Sequence, residues 1–160
     1  MIQQFPVLAR QLGENFYNEK LNPISTAWLR DSIFTIREAA IENYKEISKI
    51  FGAQWASTCA VPRIVQLHTD SNYLHRLTTL FGIQALSQSC SVDTIRRQFI
   101  PVMLTLTQDR VANVRMNVAK AVKELYPVLM SQPQGHQDII VSQTSSVCCA
   151  TEISSALSVF

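Results

Sequence analysis

The chain has 160 residues and a mass of 18.0 kDa, room for one ordinary domain or for three or four units of a repeat. An apolar fraction of 47% with 16% charged residues excludes an unfolded chain, and 4 glycines argue against an all-β fold rich in tight turns. The net charge is +2 with the lysines and arginines spread along the sequence, which excludes a surface built to neutralise nucleic-acid phosphates.

In chain order, the opening "IQQFPVLARQLG" has neither a basic start nor a long apolar run, so no secretory leader is expected. "FPVLARQLG" reads as the second helix of a repeat whose first helix is absent. Beyond it, one pattern recurs. Asp31, Asp70 and Asp109 are 39 residues apart, and Arg37, Arg76 and Arg115 keep the same step. Pro23, Pro62 and Pro101 also keep it, each eight residues ahead of its aspartate. Three residue types in one phase over three copies define a repeat of helix pairs.

In each unit a shorter apolar segment, "PISTAWLR", "PRIVQLHT" or "PVMLTLTQ", precedes the aspartate, with its proline at a kink or in the first turn. A longer helix follows. Its apolar stripe is Ile36, Ala40, Tyr44, Ile47 and Phe51 in the first copy, and His75, Thr79, Ile83, Leu86 and Cys90 in the second. In the third it is Val114, Val118, Val122, Leu125 and Leu129. The expected fold class is all-α, a short solenoid of about three and a half helix pairs. A partial repeat covers 1–15, repeats cover about 16–53, 54–92 and 93–132, and a divergent tail covers 133–160.

The recurring charges have a structural reading. An aspartate just before a helix accepts hydrogen bonds from free N–H groups, worth about 1 kcal/mol. The arginine then reaches the aspartate of the stacked neighbour, so Asp31, Arg37, Asp70, Arg76, Asp109 and Arg115 form a ladder that sets the register. A catalytic use is disfavoured, because active sites are not copied three times in phase. The histidines His68, His75 and His136 lack metal-ligand spacing, and no nucleophile elbow, phosphate loop or zinc motif is present. No cofactor and no metal are expected. Cys59 and Cys90 read as small buried apolar residues, and they and the adjacent Cys148 and Cys149 have no ligand pattern, which suits a reducing compartment. The longest apolar stretch, "FIPVML", is too short to span a bilayer, so no membrane partner is expected. The expected location is the cytoplasm, with the nucleus also open. Trp28 and Trp55 read as core.

Proline, aspartate eight on and arginine six further, in a unit of 39, resemble the HEAT repeat. The wording "NEKLNPISTAWLRDSIFTIREAAIENYKEISKIFGAQWA", "DSNYLHRLTTLFGIQALSQSC" and "DRVANVRMNVAKAV" is similar to C-terminal repeats of the scaffold (A) subunits of type 2A serine/threonine protein phosphatases. That resemblance implies a non-enzymatic scaffold whose intra-repeat turns form a ridge that grips the phosphatase catalytic subunit. Carried onto this chain, the partner-facing residues are Ser32, Ile33 and Phe34 in the first turn. They are Asn72, Tyr73 and His75 in the second, and Arg110, Val111, Ala112 and Asn113 in the third. Exposed apolar residues on a turn call for a cover, although Phe34 and Tyr73 could instead pack on the next repeat.

Binding of a regulatory subunit is not expected, because the family's N-terminal repeats have no counterpart here. The tail "SQPQGHQDIIVSQTSSVCCATEISSALSVF" holds no lysine or arginine and no further aspartate–arginine pair, although Glu152 stands near the expected phase. Short helices at 139–141 and 153–160 are expected to cover the last repeat, and self-association is expected through open array ends. Two alternatives stand beside this reading: another HEAT-type protein-binding module, and a truncated scaffold without productive assembly.

Overall fold

The computed structural model describes residues 4–130, and every regular element in that span is helical. The elements are α1 (Phe5–Phe16), α2 (Asn22–Trp28), α3 (Phe34–Phe51), α4 (Ala53–Trp55), α5 (Val61–Val65), α6 (Tyr73–Leu86), α7 (Val92–Thr94), α8 (Ile100–Leu106) and α9 (Ala112–Met130). The short members belong to longer rods. π-Helical turns at Tyr17–Leu21, Ala56–Ala60 and Ile95–Phe99 join α1 to α2, α4 to α5 and α7 to α8. Each repeat is thus a first helix interrupted by a π turn, a turn at the aspartate and a longer second helix, as the 39-residue step predicts.

The three π turns begin 39 residues apart, and each ends two residues ahead of a proline of the repeat. Pro23, Pro62 and Pro101 cannot donate to the carbonyl four residues back, and their rings crowd it. In each copy the residue just before the proline donates five back instead, Asn22 to Tyr17, Val61 to Ala56 and Ile100 to Ile95. The proline therefore sits in the interior of the first helix, at a kink, and the helix begins well ahead of it.

Links between repeats use backbone that favours glycine. Gly13 (φ 82°) breaks α1, and Gly52 (φ 89°) ends α3, again 39 residues on. The third link has Ser91 in extended conformation (φ −69°), and its hydroxyl caps the next helix by accepting from the Thr94 N–H at 3.2 Å.

Packing is between neighbours. α1 lies on α3, α3 on α6 and α6 on α9, with α2, α5 and α8 against the second helix of their own unit. One continuous core results, running from Phe5 and Ala9 through Tyr44, Ile47, Leu80, Ile83 and Phe99 to Val118 and Leu125. The predicted stripe is buried at Ala40, Tyr44, Ile47, Thr79, Ile83, Leu86, Val114, Val118 and Leu125. Val122 departs from it, with 37% of its surface exposed. Tyr17, Tyr44, Phe51 and Trp55 cluster edge-to-face or stacked, with ring centroids 5.5–6.4 Å apart. Burial pushes the Tyr17 phenol up to about 12, and raises Tyr44 further. Trp55 is buried and Trp28 half-buried. Cys59 and Cys90 are half-buried against the core rather than fully enclosed, and burial pushes the Cys90 thiol up to about 11. The expectations for His136, Cys148, Cys149 and the helices at 139–141 and 153–160 lie outside the described residues.

Candidate functional site

The three intra-repeat turns are built by one set of hydrogen bonds. Asp31, Asp70 and Asp109 each donate their N–H to the carbonyl three residues back, at 3.1–3.2 Å. Each carboxylate accepts from the N–H two residues on: Ile33 at 2.8 Å, Asn72 at 2.9 Å and Val111 at 2.8 Å. The aspartate therefore closes the turn itself and does not cap the helix directly. In the second turn the helix cap is Asn72, whose Oδ1 accepts from the Leu74 N–H at 3.0 Å.

The arginine six residues on ties down the same turn. Arg37, Arg76 and Arg115 donate from Nη1 to the carbonyls of Asp31, Asp70 and Asp109 at 2.8, 2.8 and 2.7 Å. The spacing recurs because each turn needs a cation under its carbonyls, and the inter-repeat ladder is only one use of that cation. Arg76 does reach the next repeat: Nε and Nη2 donate to the two carboxylate oxygens of Asp109 at 2.5 and 2.9 Å, with both side chains buried. Arg37 does not. Its Nε donates to Thr78 Oγ1 at 3.1 Å, because Asp70 is already held by Arg30 at 2.8 Å and lies 3.2 Å from His75 Nδ1. Arg115 has no described partner across the repeat.

The turns are consequently fastened to one another in series. Arg30 and His75 join the first to the second, with His75 Nε2 3.2 Å from the Arg30 carbonyl. Arg76–Asp109, with Arg110 Nη2 donating to the Ser71 carbonyl at 3.4 Å, joins the second to the third. The Arg76 guanidinium holds the Asp109 carboxyl below its usual range. For Asp70 the Asn72 N–H is the main cause of a similar lowering, with His75 and Arg30 adding to it.

On this frame the candidate residues divide. Ser32, Ile33, Phe34, Tyr73, Ala112 and Asn113 are exposed, Ile33 at 54%, Phe34 at 50% and Tyr73 at 40%. Phe34 also leans on the next repeat, edge-on to Phe81 at 6.2 Å, with the Arg37 guanidinium over its ring at 5.7 Å. Asn72, His75 and Arg110 carry the internal bonds just described, and Val111 packs against the core. Arg30 and Thr78 were not legible from the repeat, since neither recurs in phase: Thr69 and Gln108 stand one and two steps beyond Arg30. The second helices form another feature, an open groove of about 580 Å³ across three repeats, with Phe34, Ile41, Phe81 and Ala85 among its lining residues. Glu38 and Glu42 of α3 line one side, and Lys120, Lys123 and Glu124 of α9 the other. Among the described residues there is no cluster fit to hold a metal, and no helix long and apolar enough to cross a membrane.

Helix pairs stacked in one direction, kinked and linked in phase, define an α-solenoid, and residues 99–129 match the HEAT repeat family. Two curated relatives narrow this. The chain is 40% identical over 74 residues to the regulatory A subunit of protein phosphatase PP2A from Schizosaccharomyces pombe, and 32% identical over 102 residues to the protein of that name in Saccharomyces cerevisiae. The matches cover 46% and 62% of this chain but 12% and 16% of the relatives, so the chain spans a small part of their length. The resemblance read from the sequence is borne out: the chain is similar to part of the PP2A regulatory A subunits and carries a match to the HEAT repeat at residues 99–129. Both relatives are named as regulatory and not catalytic subunits.

Proposed function

We propose that the chain is a non-catalytic scaffold module that binds the catalytic subunit of a type 2A serine/threonine phosphatase along the ridge of intra-repeat turns. The observation that carries this reading is the pairing of exposed Ile33, Phe34 and Tyr73 with a buried polar frame beneath them. Apolar side chains on turns held at fixed spacing lose little conformational freedom on binding, which is what an anchor residue requires. The relatedness to the PP2A regulatory A subunits supplies the class of partner.

The test is the affinity of this chain for purified type 2A catalytic subunit, measured by calorimetry. An Ile33→Asp, Tyr73→Ala variant is expected to weaken binding at least tenfold, about 1.4 kcal/mol or more. Ile33 is a better probe than Phe34, whose ring also packs on Phe81. Absence of binding by a folded, helical chain overturns the proposal.

A second reading, another HEAT-type binding module, is favoured by the groove across the second helices, which presents Glu38 and Glu42 on α3 and Lys120, Lys123 and Glu124 on α9. It predicts that Lys120→Glu, Lys123→Glu abolishes partner capture while the ridge variant does not. The first reading predicts the reverse.

A further inference from the structure

The second helices lie side by side, α3 on α6 and α6 on α9, so positions 39 residues apart stand in rows across them. One row that lines the groove is Glu42, Phe81 and Lys120, an acid, an aromatic ring and a base in series. Exposed Glu38 reinforces the acid on α3 and exposed Lys123 the base on α9, while Ala85 extends the apolar floor on α6. These charges are not spent within the chain. Glu38, Lys120 and Lys123 enter no ion pair among the described residues, and Glu42 has only an exposed one with Lys45. Glu124, four residues beyond Lys120, leaves the α9 side with two bases to one acid.

The spacing of the charges sets the occupant. Packed helices lie about 8–10 Å apart, so the two charged sides, two helices apart, are separated by about 20 Å. An extended chain covers about 3.3–3.6 Å per residue, so about six residues carry it from one side to the other. We propose that the groove binds an extended segment of a partner protein laid across the three second helices. Its lysine or arginine faces Glu38 and Glu42, its central apolar residues cover Phe81 and Ala85, and its aspartate or glutamate faces Lys120 and Lys123.

Charge decides between occupants. A segment of one sign meets repulsion on one side of the groove, and residues 131–160 hold no lysine or arginine to bring to Glu38 and Glu42. Exposed ion pairs contribute little each, so the apolar contact holds the segment and the charges set its order. A volume of about 580 Å³ takes a few side chains and not a folded surface. The inference rests on the groove reading above and not on the ridge, with which the groove shares only Phe34. The Ile33→Asp, Tyr73→Ala variant is therefore expected to leave it intact.

The probes are fluorescein-labelled peptides KSSFLSE and its reverse ESLFSSK, with the like-charged KSSFLSK and ESSFLSE, titrated with the 160-residue chain and read by polarisation at low salt. One of the two mixed-charge orders is expected to bind about fivefold or more tighter than either like-charged peptide, a difference that high salt removes. Lys120→Glu, Lys123→Glu makes the α9 side acidic, so KSSFLSK is expected to become the tightest binder, a gain that a misfolded variant could not give. Absence of a mixed-charge preference in the wild-type chain overturns the proposal, and so does a variant that ranks the peptides as wild type does. Loss of partner capture by that variant without any peptide preference overturns the proposal and leaves the groove reading standing. Polarisation that falls as the chain dimerises in sedimentation makes a second copy the occupant, and overturns it too.

Discussion

Arg37 and Arg76 occupy one position of the repeat and share the bond to their own turn, yet their outer nitrogens go to different partners. The difference comes from Arg30, which occupies Asp70 before Arg37 can and has no equivalent in the other units. Among the described residues only the Arg76–Asp109 pair is a two-pronged ion pair with both members buried, so its loss strands a guanidinium. Asp109→Asn is expected to destabilise the chain by about 3 kcal/mol in urea unfolding, whereas Asp31→Asn, which loses no ion pair among the described residues, costs far less. The pair also has a pH signature. Because Arg76 lowers the Asp109 carboxyl in the folded chain, its contribution is complete above the ordinary carboxylate range and is lost as pH falls through the lower folded value. The stability gap between wild type and Asp109→Asn is expected to stay constant from about pH 7 to pH 5 and to narrow below about pH 4. A constant gap down to pH 2 contradicts this. The aspartate–arginine spacing was plain in the sequence, but the partner of each arginine was not, since it depends on residues outside the period.

At the scale of the element, the repeat hides two devices that residue identity alone does not reveal. The π turn has no composition of its own. It is a bonding pattern that accompanies the proline inside each first helix and is absent at Pro127 inside α9, so the prolines were legible and the pattern was not. The links were obscured because Gly13 and Gly52 give way to Ser91, which starts its helix by a hydroxyl cap instead of a left-handed glycine. Gly52→Ala is expected to cost about 1–2 kcal/mol in thermal unfolding, since a side chain is strained at φ 89° even with open space around it. Ser91→Ala is expected to cost about 1 kcal/mol through loss of the cap. Gly82 is different in kind. It lies within α6, where an added Cβ would collide with the Ile64 side chain of α5. Gly82→Ala is expected to destabilise by about 1–3 kcal/mol by forcing the two helices apart.

For the whole molecule, stability is a chain of nearest-neighbour contacts. α6 has packed repeats on both sides and α9 on one, among the described residues. Native-state amide exchange is therefore expected to be slowest in α6 and several-fold faster in α9; equal protection of the two would mean that the array opens as a single unit. The solenoid itself was readable from the 39-residue step and the apolar stripe, because both report contacts that every unit repeats. The exposure of Val122 was not readable, because it depends on what lies beyond its repeat and not on the residue.

The two long edges of the array are fastened differently. Along the turn edge, Arg30–Asp70, His75, Arg110 and Arg76–Asp109 tie each unit to the next. Along the opposite edge, two links pass through Gly13 and Gly52, with nothing within 4 Å of where a Cβ would stand. Such an object bends like a bound book. The spine keeps its spacing while the fore-edge fans open, so thermal flexing changes the curvature of the array and leaves the distances between successive turns nearly constant. A partner that grips the spine measures against a ruler of fixed divisions, whatever the sweep of the pages.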